Sequence, residues 1–193
     1  MTEDDQIMIR MQAGDSSAFE ELMDRYQQPL VGFFFRNTRD IQLSEDLTQE
    51  TLLRVYNQAW DYLPTGRFRG WMYRIARNLM IDNLRRQSHD ALVKAVKAKP
   101  DTESDYLSFL PSEILPPGET ASYRELAELV NNLLAEIPEE QRMTFVLHHF
   151  SGLSLSEVAE VMETTLPTSK SRLRLAREKL SEKLQTRGVK TRT

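Results

Sequence analysis

The chain has 193 residues and no cysteine, which excludes disulfides and cysteine-ligated zinc and fits a reducing compartment. Hydrophobic residues make up 40% and charged residues 28%, a balance that suits folded domains rather than a disordered chain. The start Met1-Thr2-Glu3-Asp4-Asp5 is acidic where a signal peptide is basic, and no apolar run approaches the roughly 18 residues of a membrane span, so a cytoplasmic location without membrane insertion is expected.

The first segment reads as helices throughout. Gly14-Asp15-Ser16-Ser17 supplies N-cap chemistry, and Phe19, Leu22, Met23, Tyr26 and Leu30 follow at spacings of three and four, forming one apolar stripe. A second start is read at Ser44, with Leu47, Thr51, Val55 and Ala59 lining one side and Leu52 beside them. The loop Tyr62-Leu63-Pro64-Thr65-Gly66-Arg67 follows, marked by its Pro and Gly. A third helix is expected from about Phe68 to Arg86, burying Trp71, Ile75, Leu79 and Leu84 and showing Arg74, Arg77, Arg85 and Arg86.

Residues 88 to 120 break this pattern with Pro100, Pro111, Pro116, Pro117 and Gly118, and with five acids and no base from Asp101 to Glu119. By composition this is a flexible acidic linker, with Tyr106, Leu107, Phe109 and Leu110 as a sticky piece inside it. As a coil its 33 residues reach roughly 30 Å, and far more when extended.

A second set of helices begins near Ala121. Leu126, Leu129, Val130, Leu133 and Leu134 form a helix that stops before Pro138, and Phe145, Val146 and Phe150 belong to another that Gly152 ends. Ser154 with Glu157 makes a capping box that opens a short helix through Met162. Pro167 then sits in the first turn of a final helix running to about Gln185.

The last two helices have the form of a helix-turn-helix. Val158, Ala159, Met162, Leu166, Leu173, Ala176, Leu180 and Leu184 are assigned to its inner side. This leaves Thr168, Lys170, Ser171, Arg172 and Arg174 outward near the amino end of the second helix. Free N–H groups and a positive dipole attract phosphate there, while short polar and basic side chains reach base edges.

The net charge of −4 disguises this basic character. Residues 1–65 carry 5 Lys/Arg and 12 Asp/Glu, residues 66–99 carry 9 and 2, residues 100–140 carry 1 and 10, and residues 141–193 carry 10 and 5. The blocks are −7, +7, −9 and +5, so a nucleic acid meets two separate positive patches. Such alternation also predicts that the two units pack together in the free protein and cover both patches.

Thr168-Ser-Lys-Ser-Arg-Leu-Arg-Leu-Ala-Arg177 resembles the recognition helix of sigma factors of the extracytoplasmic-function (ECF) type. Ile137-Pro138 followed by Arg142, Phe145, Gly152, Ser154, Glu157 and Ala159 is similar to the rest of their region four. In the amino-terminal half, Gly14-Asp15 with Ala18 to Leu22 resembles region 2.1, and Glu45-Asp46-Leu47-Thr48-Gln49-Glu50 resembles region 2.2. Trp71-Met-Tyr-Arg-Ile-Ala-Arg-Asn-Leu-Met-Ile-Asp-Asn-Leu-Arg-Arg86 resembles regions 2.3 and 2.4. The likeness departs at Ser169, Leu175 and Pro167, where relatives usually carry Val, Arg and Gly.

The resemblance implies an all-α fold of two small helical domains. Residues 1–90 would be the region 2 bundle and residues 91–120 the linker. Residues 121–193 would be the region 4 helix-turn-helix. It implies a transcription initiation factor that joins core RNA polymerase, recognises promoter DNA and melts it at a stress- or signal-responsive regulon.

Site residues follow from the same likeness. The minus-35 contacts would be Thr168, Lys170, Ser171, Arg172, Arg174 and Arg177. The minus-10 contacts would be Arg67, Arg69, Arg74, Arg77 and Asn78, with the loop from Leu63 to Arg69 cupping a base. Polymerase would be met by Asp46, Gln49, Glu50 and Arg54. Anti-sigma factor, phosphorylation and expression level all stay open as routes of control. A stand-alone helix-turn-helix regulator would leave residues 40 to 90 without a role. No catalytic residue, metal or cofactor is expected, since the only histidines are His89, His148 and His149 and no glycine-rich phosphate loop occurs.

Overall fold

Thr2 opens the first helix with a reciprocal capping box, its hydroxyl accepting from the Asp5 N–H while the Asp5 carboxylate accepts from the Thr2 N–H. A computed structural model describes residues 1–94 and 120–187, with side chains described for 1–86 and 128–187. Its helices are α1 (Glu3–Gln12), α2 (Ser16–Thr38), α3 (Ile41–Asn57), α4 (Phe68–Lys94), α5 (Thr120–Ala135), α6 (Glu139–His149), α7 (Leu155–Val161) and α8 (Leu166–Thr186). A single 3-10 turn, Ala59–Asp61, follows α3, and there is no strand among the described residues.

Helix starts fall where short polar side chains can satisfy free N–H groups. Asp15 caps α2 through Ser17 N–H at 3.0 Å, and Asp40 caps α3 through Leu43 N–H at 2.9 Å. The start read at Ser44 is corrected by this. Ser44 lies inside α3, is buried, and donates its hydroxyl to the Asp40 carbonyl.

The stripe Leu22, Tyr26 and Leu30 of α2 is buried as expected, with Phe19 and Met23 at its edge. On α3, Leu47, Thr51, Leu52 and Val55 are buried, and Ala59 beyond it.

Helix α4 buries a wider face than expected, one that includes the expected Leu79 and has Trp71 and Ile75 packed against it. Phe68, Met72, Tyr73, Ala76, Leu79 and Met80 carry the core, Trp71 and Ile75 are half-buried, and Leu84 is exposed. The helix also continues past Arg86 to Lys94. Tyr106, Leu107, Phe109 and Leu110 lie outside the described residues.

The last turns of α2 settle how the two halves meet. Phe33, Phe34, Phe35, Arg36 and Asn37 are all buried, which no helix achieves while one side faces water. Helix α3 and Tyr73 of α4 lie on one side, and α5 and α6 close the other, joining both halves in one apolar cluster. Arg39, in a left-handed conformation after α2, donates to Asn132 at 2.6 Å across the junction.

Candidate nucleic-acid interface

The amino end of α8 is held by short-range chemistry. Ser154 and Glu157 form the capping box of α7, Met162 follows as its C-cap, and Glu163 turns the chain with φ 52°. Thr165 then caps α8 by accepting from Thr168 N–H at 3.3 Å, with Pro167 in the first turn. Beneath, Val158, Ala159, Met162, Leu173, Ala176 and Leu180 are buried and Leu184 is half-buried.

Leu166 is the exception among the expected inner residues, being 38% exposed. It is the first residue of α8, immediately before Pro167. Ser169 is fully buried and its Oγ has no hydrogen-bond partner.

The outward face of α8 carries Lys170, Ser171, Arg174 and Arg177 exposed to solvent, with Thr168 half-exposed. Arg174 pairs with Glu178 one turn along at 2.5 Å. Arg172 is mostly covered and donates to Glu140 of α6, so it braces the unit as well as adding charge. Arg177 donates through Nε and Nη2 to His149 Nε2 at 3.2 and 3.0 Å. Burial, then the charge of Arg177 and the neighbouring His148, push the His149 pKa down to about 4, which keeps that nitrogen an acceptor at neutral pH. The His148 and His149 rings are neighbours, but His148 Nδ1 bonds the Leu153 carbonyl, so their nitrogens serve separate partners.

In the amino-terminal half, the loop from Tyr62 to Arg67 is tied down by Asp5 of α1. The Asp5 Oδ1 accepts from the Tyr62 hydroxyl at 2.5 Å and from the Gly66 N–H at 3.1 Å, where Gly66 takes φ +79°. Gln12 adds bonds from Nε2 to the Ala59 and Tyr62 carbonyls at 2.8 and 2.9 Å. Burial of Asp5 pushes its pKa up, but hydrogen bonds from Tyr62, Thr2 and Gly66 outweigh it and hold the carboxyl below its ordinary 3.8. Tyr62 also packs on Phe68 and Trp71, with ring centroids 5.7 and 5.2 Å apart. Trp71 is therefore mainly a packing residue, and Tyr73 is fully buried with its hydroxyl bonded to Ser151.

The basic residues expected on this half all come to one side, but four of them face the other half. Arg67 Nη1 meets Glu160 Oε1 at 3.1 Å, Arg74 Nη2 donates to the Glu160 carbonyl at 3.1 Å, and Arg77 Nη1 is 3.9 Å from Glu163 Oε2. Arg69 lies against Gly152, close enough that a Cβ there would stand 3.1 Å from Nη1. Asn78 is exposed. The charge map's expectation of packed halves holds, but it is corrected in one respect: the outward face of α8 is not covered.

Asp46 and Gln49 of α3 are exposed, and Glu50 and Arg54 pair at 2.9 Å beside them. Sequence reasoning passed over Leu53, Tyr56 and Trp60, which are 51%, 51% and 74% exposed along the same helix and the turn after it. Their spacing of three and four was the available signal, since it runs out of phase with the buried Leu52, Val55 and Ala59. A groove of about 610 Å3, lined by Phe19, Met23, Gln49, Leu52 and Leu53 among others, opens between α2 and α3.

Sigma-70 region 2 matches residues 22–90 and Sigma-70, region 4 matches residues 127–180. The chain is 31% identical to the RNA polymerase sigma-H factor of Pseudomonas aeruginosa over 186 residues, covering 95% of this chain and 94% of that protein. It is 28% identical to the ECF RNA polymerase sigma factor SigW of Bacillus subtilis over 176 residues, 91% of this chain and 94% of that one. A crystal structure of the sigma factor RpoE with the anti-sigma factor NepR from Bartonella quintana has the same fold, with TM-score 0.69 at 19% identity over 86% of this chain and 96% of RpoE. With both regions matched in order and the likeness running nearly end to end, the chain belongs to the ECF group of the sigma-70 family, the promoter-recognising initiation factors of RNA polymerase.

Proposed function

We propose that this chain performs initiation with a division of labour between two units. Residues 1–90 dock on core RNA polymerase and engage the minus-10 element, residues 91–120 connect, and residues 121–193 engage the minus-35 element. The observation that carries the reading is the outward face of α8, where Lys170, Ser171 and Arg174 stand clear of the core beside the helix amino terminus.

Arg174 and Lys170 reach the major groove or its phosphates, Thr168 and Ser171 offer hydroxyls to base edges, and Arg172 and Arg177 add charge at the rim. On the other unit, Arg67, Arg69, Arg74 and Arg77 line the path of an opened strand, with Asn78 as an amide contact and the Asp5-anchored loop holding an unstacked base. The loop suits this because two α1 side chains, Asp5 and Gln12, fix its backbone from behind, leaving Leu63 73% exposed at its tip.

Asp46, Gln49, Glu50 and Arg54 form the polar part of the polymerase-binding face, and Leu53, Tyr56 and Trp60 the apolar part beside it. No catalytic role is assigned to any residue, and no helix among the described residues is long and apolar enough to cross a membrane. We place its action in the cytoplasm, where polymerase is. An anti-sigma factor is a fitting regulator, since the RpoE structure of this fold is a complex with one. Run-off transcription with core polymerase on a promoter library tests the reading. Initiation should appear at a defined promoter class, and the reading fails if the purified chain neither joins core polymerase nor starts transcription.

A further inference from the structure

We infer that His149 is a positioning residue for DNA binding: it holds the Arg177 guanidinium at a fixed angle on the rim of α8 while leaving its charge whole, so that Arg177 meets a backbone phosphate already oriented. The inference rests on the functional reading above and deepens it by naming how one cation of the minus-35 surface is held.

Geometry carries the first part. Arg177 gives both Nε and Nη2 to a single acceptor, His149 Nε2, at 3.2 and 3.0 Å. Two bonds from one edge fix the plane of the guanidinium. The other edge, between Nη1 and Nη2, keeps a parallel pair of N–H groups, the fork that matches two oxygens of a phosphate. Arg177 is exposed to solvent on the outward face of α8.

The acceptor is itself held. Phe145, one turn earlier on α6, packs on the His149 ring with centroids 4.5 Å apart, and the His148 ring stands 4.8 Å from it. His148 is fixed in turn by the 2.8 Å bond between its Nδ1 and the Leu153 carbonyl. A ring flanked in this way has little rotamer freedom, so the arginine bonded to it has less freedom left to lose when DNA arrives.

Charge carries the second part. Helix α8 holds three arginines, and each has a partner. Arg172 pairs with Glu140 and Arg174 with Glu178, carboxylates that offset the positive charge they orient. The partner of Arg177 is an imidazole instead, and the two titratable groups that face it, Arg177 itself and His148, both oppose its protonation, as burial does. A neutral acceptor orients a cation without cancelling it, so the full attraction for a polyanion remains.

Full-length variants joined to core polymerase are titrated onto the promoter duplex found by run-off transcription, over a range of salt. Arg177→Ala should lower affinity and reduce the salt slope by about one, as loss of one phosphate contact does. His149→Ala should lower affinity about two- to tenfold, the range for ordering one long side chain on binding, with the slope unchanged because the charge is still present. His149→Gln, whose amide oxygen accepts the same bonds, should restore most of the loss. His149→Glu should reduce the slope by about one, since it neutralises the arginine it holds. In an Arg177→Ala background, His149→Ala should have no further effect. Parent-like affinity of His149→Ala overturns the inference, as does an equal loss in the Arg177→Ala background or a His149→Gln no better than His149→Ala. In the free full-length chain, the Arg177 Nε–H should be protected from hydrogen exchange by NMR in the parent and in His149→Gln, and unprotected in His149→Ala. Its absence of protection in the parent overturns the inference without any DNA. If no promoter is bound, the sigma-factor reading fails instead, and the Nε–H signal still decides whether His149 holds Arg177.

Discussion

The guanidinium groups of Arg67, Arg74 and Arg77 lie against α7 and the turn behind it, whereas Lys170, Ser171 and Arg174 of α8 face solvent. Both surfaces are positive, and both are proposed to meet promoter DNA. The difference is that the first is built on a long helix flanked by the partner unit, and the second on the far side of the helix-turn-helix. The face of α8 proposed to meet duplex DNA is thus open to solvent, while the surface proposed to hold a melted strand lies against α7 and the turn behind it.

The largest expected effect separates the two units. Phe34→Ala empties a fully buried position in α2 and should cost about 3–5 kcal/mol by calorimetry or denaturant unfolding. If the units are as distinct in function as proposed, binding of a minus-35 duplex at low temperature should survive that loss.

Next is Asp5→Asn, which weakens the loop anchor and should cost about 1–3 kcal/mol. The folded Asp5 carboxyl sits below its ordinary 3.8, so its stabilisation is complete above that value and is lost as pH falls through the depressed pKa. Acid titration of stability should therefore be shallower in Asp5→Asn than in the parent. An unchanged profile would remove Asp5 from the account.

Arg174→Ala should weaken minus-35 duplex binding by about 1–3 kcal/mol in fluorescence anisotropy, with relaxed discrimination at one position. Arg74→Ala should leave the same duplex affinity unchanged in the free protein and lower open-complex formation in permanganate footprinting. Equal effects of the two on duplex binding would erase the contrast between the surfaces.

The smallest effect is at Ser169, whose buried hydroxyl has no partner. Ser169→Ala should raise stability by about 1 kcal/mol with duplex affinity unchanged.

Local chemistry was legible in the residues. Asp15, Ser154 with Glu157, and Pro167 placed helix starts because capping depends on groups within three or four positions. The outward cations of α8 followed from the apolar set beneath them. The full buried face of helix α4 was not legible because Trp71, Met72, Tyr73, Ile75, Ala76, Leu79 and Met80 leave it apolar around most of its circumference, so periodicity does not bound the face. Only packing against the rest of the first unit selects Phe68, Met72, Ala76 and Met80.

Sequence by itself determined the helical class, the helix-turn-helix, the two basic patches and their order along the chain, since each is a matter of residue type and short spacing. The tertiary structure decided the rest. Locally Asp5 differs from Glu3 and Asp4 only as the partner of the Thr2 cap, and its role as loop anchor appears only when Tyr62, 57 positions away, brings a hydroxyl to it. Likewise Glu160 reads as an ordinary exposed acid until Arg67, 93 positions earlier, stands opposite. Contacts at such separations depend on how whole helices dock, and docking is set by the summed shape of many side chains rather than by any one segment.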